Sequence, residues 1–159
     1  MKKSILALIL LGTLLVISGC TAVEPDAEVQ WSVMIVAEND ELVEFTDVDA
    51  QSMTAVVVET TRTDREGNIL EQTWTGVPLK DVLVAKELAG YTGCLVEASD
   101  GYSKEYSLEI MEGDETIIAW LLDGEVMDEE AGGPVQMIPK GEANNMYIRN
   151  LVKIILQFE

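Results

Sequence analysis

The 159-residue chain contains no histidine, two cysteines, and only 10 basic residues against 29 acidic ones. Without histidine it cannot form a Ser-His-Asp triad or a Cys-His pair, so these kinds of nucleophilic catalysis are excluded. The formal net charge of −19 opposes binding to nucleic acid and to anionic lipid headgroups, because both require Lys and Arg to neutralise phosphate. The negative charge would also oppose an anionic cofactor unless the few cations converge on one spot.

The residues that are present suit a single folded domain. Hydrophobic residues make up 48% of the chain and charged residues 25%, which is enough apolar material for one core. The chain has neither an internal repeat nor a low-complexity tract. The acidic stretch at residues 123–130 lacks the glycine spacing of an EF-hand loop, which favours a solvated acidic loop over a calcium site. No pair of carboxylates is marked out by its spacing as a hydrolase site.

The first twenty residues have the pattern of a targeting segment. Lys2 and Lys3 precede an apolar run at residues 5–17, which is too short for a comfortable membrane span. The run closes with Ser18-Gly19-Cys20, which resembles a bacterial lipobox, where the cysteine becomes the lipidated N-terminus. The alternative is an ordinary signal peptide with an incidental cysteine. We therefore predict a signal peptide at 1–19, a lipidated Cys20 with a linker to residue 28, and one domain at 29–159.

Lipidation of Cys20 would determine where the protein resides. Two or more acyl chains anchor a protein stably, and the short linker would keep the domain close to the bilayer. Residues 20–159 carry 8 basic and 29 acidic residues, a net charge of −21, as expected for a solubilised extracytoplasmic surface. The sequence thus predicts a lipid-anchored protein on the extracytoplasmic face of the cell membrane, with no nucleic-acid partner.

Hydrophobic alternation and turn residues predict many short strands and one clear helix. The helix should start after Gly76 and Pro78 and continue from Leu79 to a stop at Gly90. Residues 53–75 should form a β-hairpin, since a β-branched run and an alternating run flank a turn cluster. Further strands are predicted at 29–36, 43–46, 94–99, 104–108, 116–122, 135–138 and within 145–158. The predicted fold class is α+β, with β-rich mixed sheets and one main helix.

Five segments, in this order, resemble the molybdopterin-binding domain of the sulfite oxidase family. They are WTGVPLKDVL at 74–83, SDGYS at 99–103, IAWLLDGE at 118–125, GGPVQMIP at 132–139 and YIRNLVKI at 147–154. Each motif alone is a common turn or strand, but together they cover roughly residues 54 to 156 in the family's order. The resemblance implies that family's fold and an ancestry among redox proteins.

The resemblance also implies where a metal ligand would lie. In that family molybdenum is held by the dithiolene of a pterin and by one cysteine thiolate, at the end of the strand before the Trp-x-Gly corner. That position falls near Thr60 here, and residues 21–93 contain no cysteine. Cys94 lies on a different predicted strand, where we expect a small buried hydrophobic residue.

The residues with which the family binds the pterin phosphate are also changed in this sequence. Gln136 stands where the family's GGPVR motif has arginine, and Arg149 lies near the family's late lysine, with Lys140 in the preceding loop. A buried phosphate needs several donors and charge partners. By resemblance, the residues expected to line the cleft are Thr60, Asp100, Tyr102, Gln136 and Arg149.

The sequence favours a binding or accessory module that presents the old cofactor cleft to a small ligand or to a redox or envelope partner protein. No cofactor is expected, although the resemblance implies molybdopterin as a candidate. One alternative is a molybdopterin-dependent oxidoreductase, or a subunit of one, with a metal environment that lacks cysteine. Another is a structural or partner-binding envelope lipoprotein.

Overall fold

The structure, a computed structural model, describes residues 29–63 and 66–159. The predicted signal peptide, Cys20 and the linker to residue 28 lie outside the described residues. The strands are β1 Ser32–Val36, β2 Leu42–Thr46, β3 Val56–Thr63, β4 Ile69–Pro78, β5 Gly93–Ala98, β6 Ser103–Ser107, β7 Thr116–Leu122, β8 Glu125–Val126, β9 Gln136–Pro139 and β10 Leu151–Gln157. The α-helices are α1 Asp47–Gln51, α2 Leu79–Ala85 and α3 Leu108–Met111. None of the described helices has the length and apolar character needed to cross a bilayer.

The strands form two sheets. The first sheet has the order β2-β1-β10-β5-β6, in which β1 and β10 are parallel and the other neighbours are antiparallel. The second sheet has the order β3-β4-β7, and both β8 and β9 pair with the far edge of β7. The predicted α+β fold with mixed sheets is confirmed, as is the hairpin at 53–75, which forms β3 and β4.

The second sheet is covered on both faces. One face meets the first sheet and α2 in the main core, where Val77 and Ile118 are fully buried. The opposite face carries a smaller apolar cluster, formed by Val58, Trp74, Ile117, Ala119, Met127 and Ile138. Because side chains alternate along a strand, Ile117 and Ile118 belong to different clusters. The smaller cluster is the floor of the site described below.

The turn from β4 into α2 is set by a close approach of backbones. A Cβ atom on Gly76 would lie 2.2 Å from the carbonyl oxygen of Ile118 on β7, so only glycine fits there. The prediction that the helix continues to Gly90 is wrong, since α2 ends at Ala85. Glu87 adopts a φ of 58°, and the N–H of Leu88 bonds back to the Leu83 carbonyl at 2.9 Å. This turn packs the Leu88 side chain against the main core.

Most other differences concern the ends of elements. β1 begins at Ser32 rather than at residue 29, and β3 runs from Val56 to Thr63 rather than over 53–61. Helix α1, which was not predicted, begins with a capping box between Thr46 and Asp49. The prediction that Cys94 is buried is confirmed, and burial raises the pKa of its thiol to about 12.

Candidate functional site

The β3–β4 hairpin directs one row of side chains away from the main core. Residues that pair across antiparallel strands share a face, and Thr60 is paired with Gln72 while Val58 is paired with Trp74. Arg62 lies two residues beyond Thr60 and therefore points to the same side. The hairpin thus presents a hydroxyl, an amide, an indole and a guanidinium together.

Thr60 and Trp74 are joined by a buried hydrogen bond. The indole Nε1 of Trp74 donates to the Thr60 Oγ1 at 2.9 Å, and the two residues are 3% and 8% exposed. The Tyr147 side chain packs against the same cluster. Burial raises the pKa of Tyr147, and this rise is opposed by its hydrogen bond with Thr60 and by the charge of Lys140. The Tyr147 hydroxyl therefore stays protonated beside Thr60.

Two neighbouring cavities open over this cluster. The acidic cavity, of about 590 Å³, is lined by residues that include Glu59, Thr60, Glu71, Lys140, Glu142 and Tyr147. The arginine cavity, of about 220 Å³, is lined by residues that include Arg62, Gln72, Trp74, Gln136, Tyr147 and Arg149. Gln72 and Tyr147 line both cavities, which places the two side by side.

The segment before β9 holds Gln136 and Arg149 in the wall of the arginine cavity. A Cβ atom on Gly132 would lie 2.2 Å from the Nε of Arg149, so the glycine leaves room for the guanidinium. Arg149 donates through Nη2 to the Glu130 carbonyl, and Gln136 donates through Nε2 to the Ala131 carbonyl at 2.8 Å. Gly132 therefore leaves room for both side chains, and the carbonyls of Glu130 and Ala131 orient them.

The cations around the two cavities differ in their partners. Lys140 forms an ion pair with Glu115, which partly neutralises it. Within residues 29–63 and 66–159, the ion pairs all involve lysine, so Arg62 and Arg149 have no carboxylate partner there. Glu130 also lines the arginine cavity. The residues that line the arginine cavity consequently include two arginines and one acid, whereas acids predominate among those that line the acidic cavity.

The structure gathers three of the five predicted site residues and leaves two apart. Thr60 lines the acidic cavity, and Gln136 and Arg149 line the arginine cavity. Asp100 and Tyr102 line neither. The Asp100 carboxylate accepts from the Tyr102 N–H at 2.9 Å, and the Tyr102 hydroxyl donates to the Asn145 carbonyl at 2.6 Å. These two residues therefore support the segment that leads to Tyr147.

Sequence reasoning missed Arg62, Gln72 and Tyr147 as site residues. The period of two along β3 gave a signal for Arg62, since it follows Thr60 by two positions. Gln72 could be placed only with the exact strand register, in which it faces Thr60. Tyr147 lies on a different segment, and nothing in its sequence neighbourhood indicates that it reaches Thr60.

The family model described as oxidoreductase molybdopterin binding domain matches residues 23–159. The chain therefore belongs to the oxidoreductase molybdopterin-binding domain family. Its fold is similar to that of the sulfane dehydrogenase SoxCD from Paracoccus pantotrophus, with a TM-score of 0.68 at 17% sequence identity. The match covers 81% of this chain and 38% of that one, so the chain spans well under half of the SoxCD length. A search of curated proteins finds no match.

The described residues do not fit a metal held by a cysteine thiolate. At the position that the family resemblance assigns to the thiolate, the Thr60 oxygen is already bonded to the Trp74 indole. Cys94, the one cysteine among the described residues, lies on β5 in the first sheet, and its raised pKa disfavours the thiolate that a metal would need. Within residues 29–63 and 66–159, no group of three or more metal-ligating acidic, cysteine or histidine side chains exists.

Proposed function

We propose that this protein is a lipid-anchored, extracytoplasmic binding module, which uses the oxidoreductase molybdopterin-binding fold without a molybdenum centre of its own. Its cleft, formed by the acidic and arginine cavities, presents polar groups to a small ligand or a partner protein. The proposed role is accessory: the module holds a ligand or docks with a redox or envelope protein, and it does not transfer electrons itself.

The Thr60–Trp74 hydrogen bond is the observation that carries this proposal. A soft thiolate suits molybdenum, whereas a neutral threonine hydroxyl is a poor replacement. The hydroxyl is also buried and already accepts a hydrogen bond, so a metal would have to share or compete for its lone pairs with the Trp74 N–H. The same bond holds Thr60 in the floor of the cleft, as expected if the site binds a ligand and no reaction takes place at Thr60.

The location rests on the N-terminal sequence. The charged start, the apolar run at 5–17 and Ser18-Gly19-Cys20 favour cleavage before Cys20 and its acylation. Two or more acyl chains would hold the domain at the outer surface of the membrane. A net charge of −21 for residues 20–159 favours solubility of the domain and repels it from anionic headgroups.

The test is a metal and pterin analysis of the full chain, produced with its own N-terminus in a bacterial host that makes molybdopterin. We expect membrane-extracted protein with acylated Cys20 by intact mass, and molybdenum, tungsten and oxidised pterin far below one per chain. The Cys20→Ser variant should appear without the acyl mass, and it should be as poor in metal as the parent. A matched family member with its cysteine serves as the positive control for cofactor loading.

A near one-to-one content of molybdenum and pterin would overturn the proposal and favour a molybdopterin-dependent oxidoreductase with a metal environment that lacks cysteine. An unmodified Cys20 in otherwise mature protein would overturn the anchoring part alone. The two results are independent, because acylation does not require the cleft.

A further inference from the structure

We propose that the arginine cavity binds a small organic carboxylate with an O–H or N–H donor on the neighbouring carbon, that is, a small 2-hydroxy acid or 2-amino acid. This inference rests on the proposed function, since a bound pterin would compete for the same space. It specifies the ligand class of the module.

The charge of the ligand follows from the convergence of arginines. Arg62 and Arg149 are the two arginines that the structure describes, and both line a cavity of about 220 Å³ in a chain of net charge −19. Neither forms an ion pair with a carboxylate of the described residues. Arg149 uses one N–H on the Glu130 carbonyl, which leaves further donors of its planar fork for a ligand. Guanidinium groups bind carboxylates with paired, parallel hydrogen bonds.

The donor on the ligand follows from Gln136. This side chain is only 2% exposed, and its Nε2 donates to the Ala131 carbonyl and the Met127 sulfur, which fixes the orientation of the amide. The Oε1 atom accepts no hydrogen bond from the described residues. Every fully buried side-chain oxygen of those residues has a hydrogen-bond partner. Since Oε1 has none, it must be accessible to solvent. The Gln136 Oε1 is therefore free to accept a hydrogen bond from a ligand in the cavity.

The two arginines and the Gln136 Oε1 together disfavour simpler anions. Sulfate has no hydrogen to donate to the Gln136 Oε1, and its second charge is disfavoured by the acidic residue Glu130, which also lines the cavity. A plain alkyl carboxylate can bond to the arginines but makes no hydrogen bond to Oε1, so it binds through one interaction fewer. A hydroxyl or ammonium beside the carboxylate satisfies both. The cavity holds the equivalent of about seven water molecules, which suits a ligand of this size.

The test uses three three-carbon acids that differ only at the second carbon: L-lactate, L-alanine and propionate. The full lipidated chain, ¹⁵N-labelled and held in detergent, reports binding through its indole N–H signals. Trp74 lines the arginine cavity, whereas Trp31 and Trp120 stack on each other with centroids 6.3 Å apart in a different cavity and serve as internal references. Trp31→Phe and Trp120→Phe assign the signals. Sulfate, at matched ionic strength, is the fourth probe.

We expect lactate or alanine to shift the Trp74 signal saturably while the other two indoles stay in place. Propionate should bind about tenfold more weakly than the better of the two, since it makes one hydrogen bond fewer. Arg62→Gln should weaken binding by about tenfold or more. Lys80→Gln is the matched control, because it removes the same charge on α2, outside both cavities.

Three results would overturn the inference: a Trp74 signal that does not move with lactate or alanine, equal binding of propionate or sulfate, or equal effects of Arg62→Gln and Lys80→Gln. Each differs from failure of the proposed function. A protein free of molybdenum and pterin that ignores these acids would lose only the ligand assignment, whereas a protein loaded with the cofactor would lose both.

Discussion

At the scale of single residues, the buried hydrogen bond between Thr60 and Trp74 is the main feature of the site. The family resemblance drew attention to Thr60, because it places the metal-ligand position near that residue. The donor could not be identified in the same way. Trp74 reaches Thr60 diagonally across the hairpin, two positions along β3 from its own partner Val58, and this geometry depends on the register of β3 and β4.

Thr60→Val should lower the free energy of unfolding by about 1–3 kcal/mol, because it keeps the shape of the side chain but leaves the buried Trp74 N–H without an acceptor. Thr60→Ser, which retains the oxygen, should lose less. Urea unfolding followed by tryptophan fluorescence measures both. If the valine variant were as stable as the serine variant, the hydrogen bond would not be a significant part of the floor of the cleft.

Asp100 and Tyr102 show the limit of carrying residue roles over by resemblance. The SDGY motif placed them in the cleft, yet the Asp100 side chain closes its own turn and the Tyr102 hydroxyl bonds to the Asn145 carbonyl. Short motifs specify local turns well. They do not specify which neighbouring segment a side chain will reach, since that depends on how the sheets pack.

At the scale of elements, the β4–α2 corner was predicted in position but not in extent. Gly76, Pro78 and the apolar spacing after Leu79 identified the turn and the start of the helix. The helix stops at Ala85 because Leu88 folds back to the main core, and a single sequence does not reveal that competition. The capping box that begins at Thr46 could have indicated the start of α1 from the sequence, although the hydrophobic pattern did not.

Gly76→Ala should destabilise the protein by more than about 3 kcal/mol, since the added Cβ would lie 2.2 Å from the Ile118 carbonyl oxygen and would separate β4 from β7. Chemical denaturation of the lipidated full chain measures the loss.

Gly67→Ala is the matched control for that variant. Gly67 has a φ of 89° in the turn between β3 and β4, but a Cβ atom added there would have no other atom within 4 Å, so its replacement should cost only about 1–2 kcal/mol of backbone strain. Equal losses at the two positions would contradict the importance of the β4–β7 approach.

At the scale of the whole molecule, the raised pKa values of one thiol and two tyrosine hydroxyls make stability sensitive to alkaline pH. Burial raises the pKa of Cys94 from its usual 9.0 to about 12, and burial with the Glu112 hydrogen bond raises that of Tyr91 from 10.0 to about 12. Burial also raises the pKa of Tyr106. Between the unfolded and folded values, the unfolded chain releases a proton that the folded chain retains.

The stability that these groups contribute should therefore be fully present below about pH 9 and should fall as the pH rises toward 12. The buried Cys94 and Tyr106 each contribute a slope of up to about 1.4 kcal/mol per pH unit within their own windows, and the partly exposed Tyr91 contributes less because solvent screens it. Urea unfolding at a series of pH values measures the slope. Cys94→Ala lowers stability at every pH by creating a cavity, but its decline should begin near pH 10 instead of 9, where the tyrosines start to ionise. An unchanged onset would show that the thiol ionises in the folded state.

The parallel pairing of β1 with β10 gives the chain a particular folding order. Met34 lies beside Lys153, so the middle of the first sheet joins segments from opposite ends of the described chain. Closing so long a loop is slow, and β1 and β2 can form only an isolated hairpin until β10 arrives. A chain that crosses a membrane from its N-terminus would emerge with this hairpin exposed, and it would need protection from aggregation until its last strand had followed.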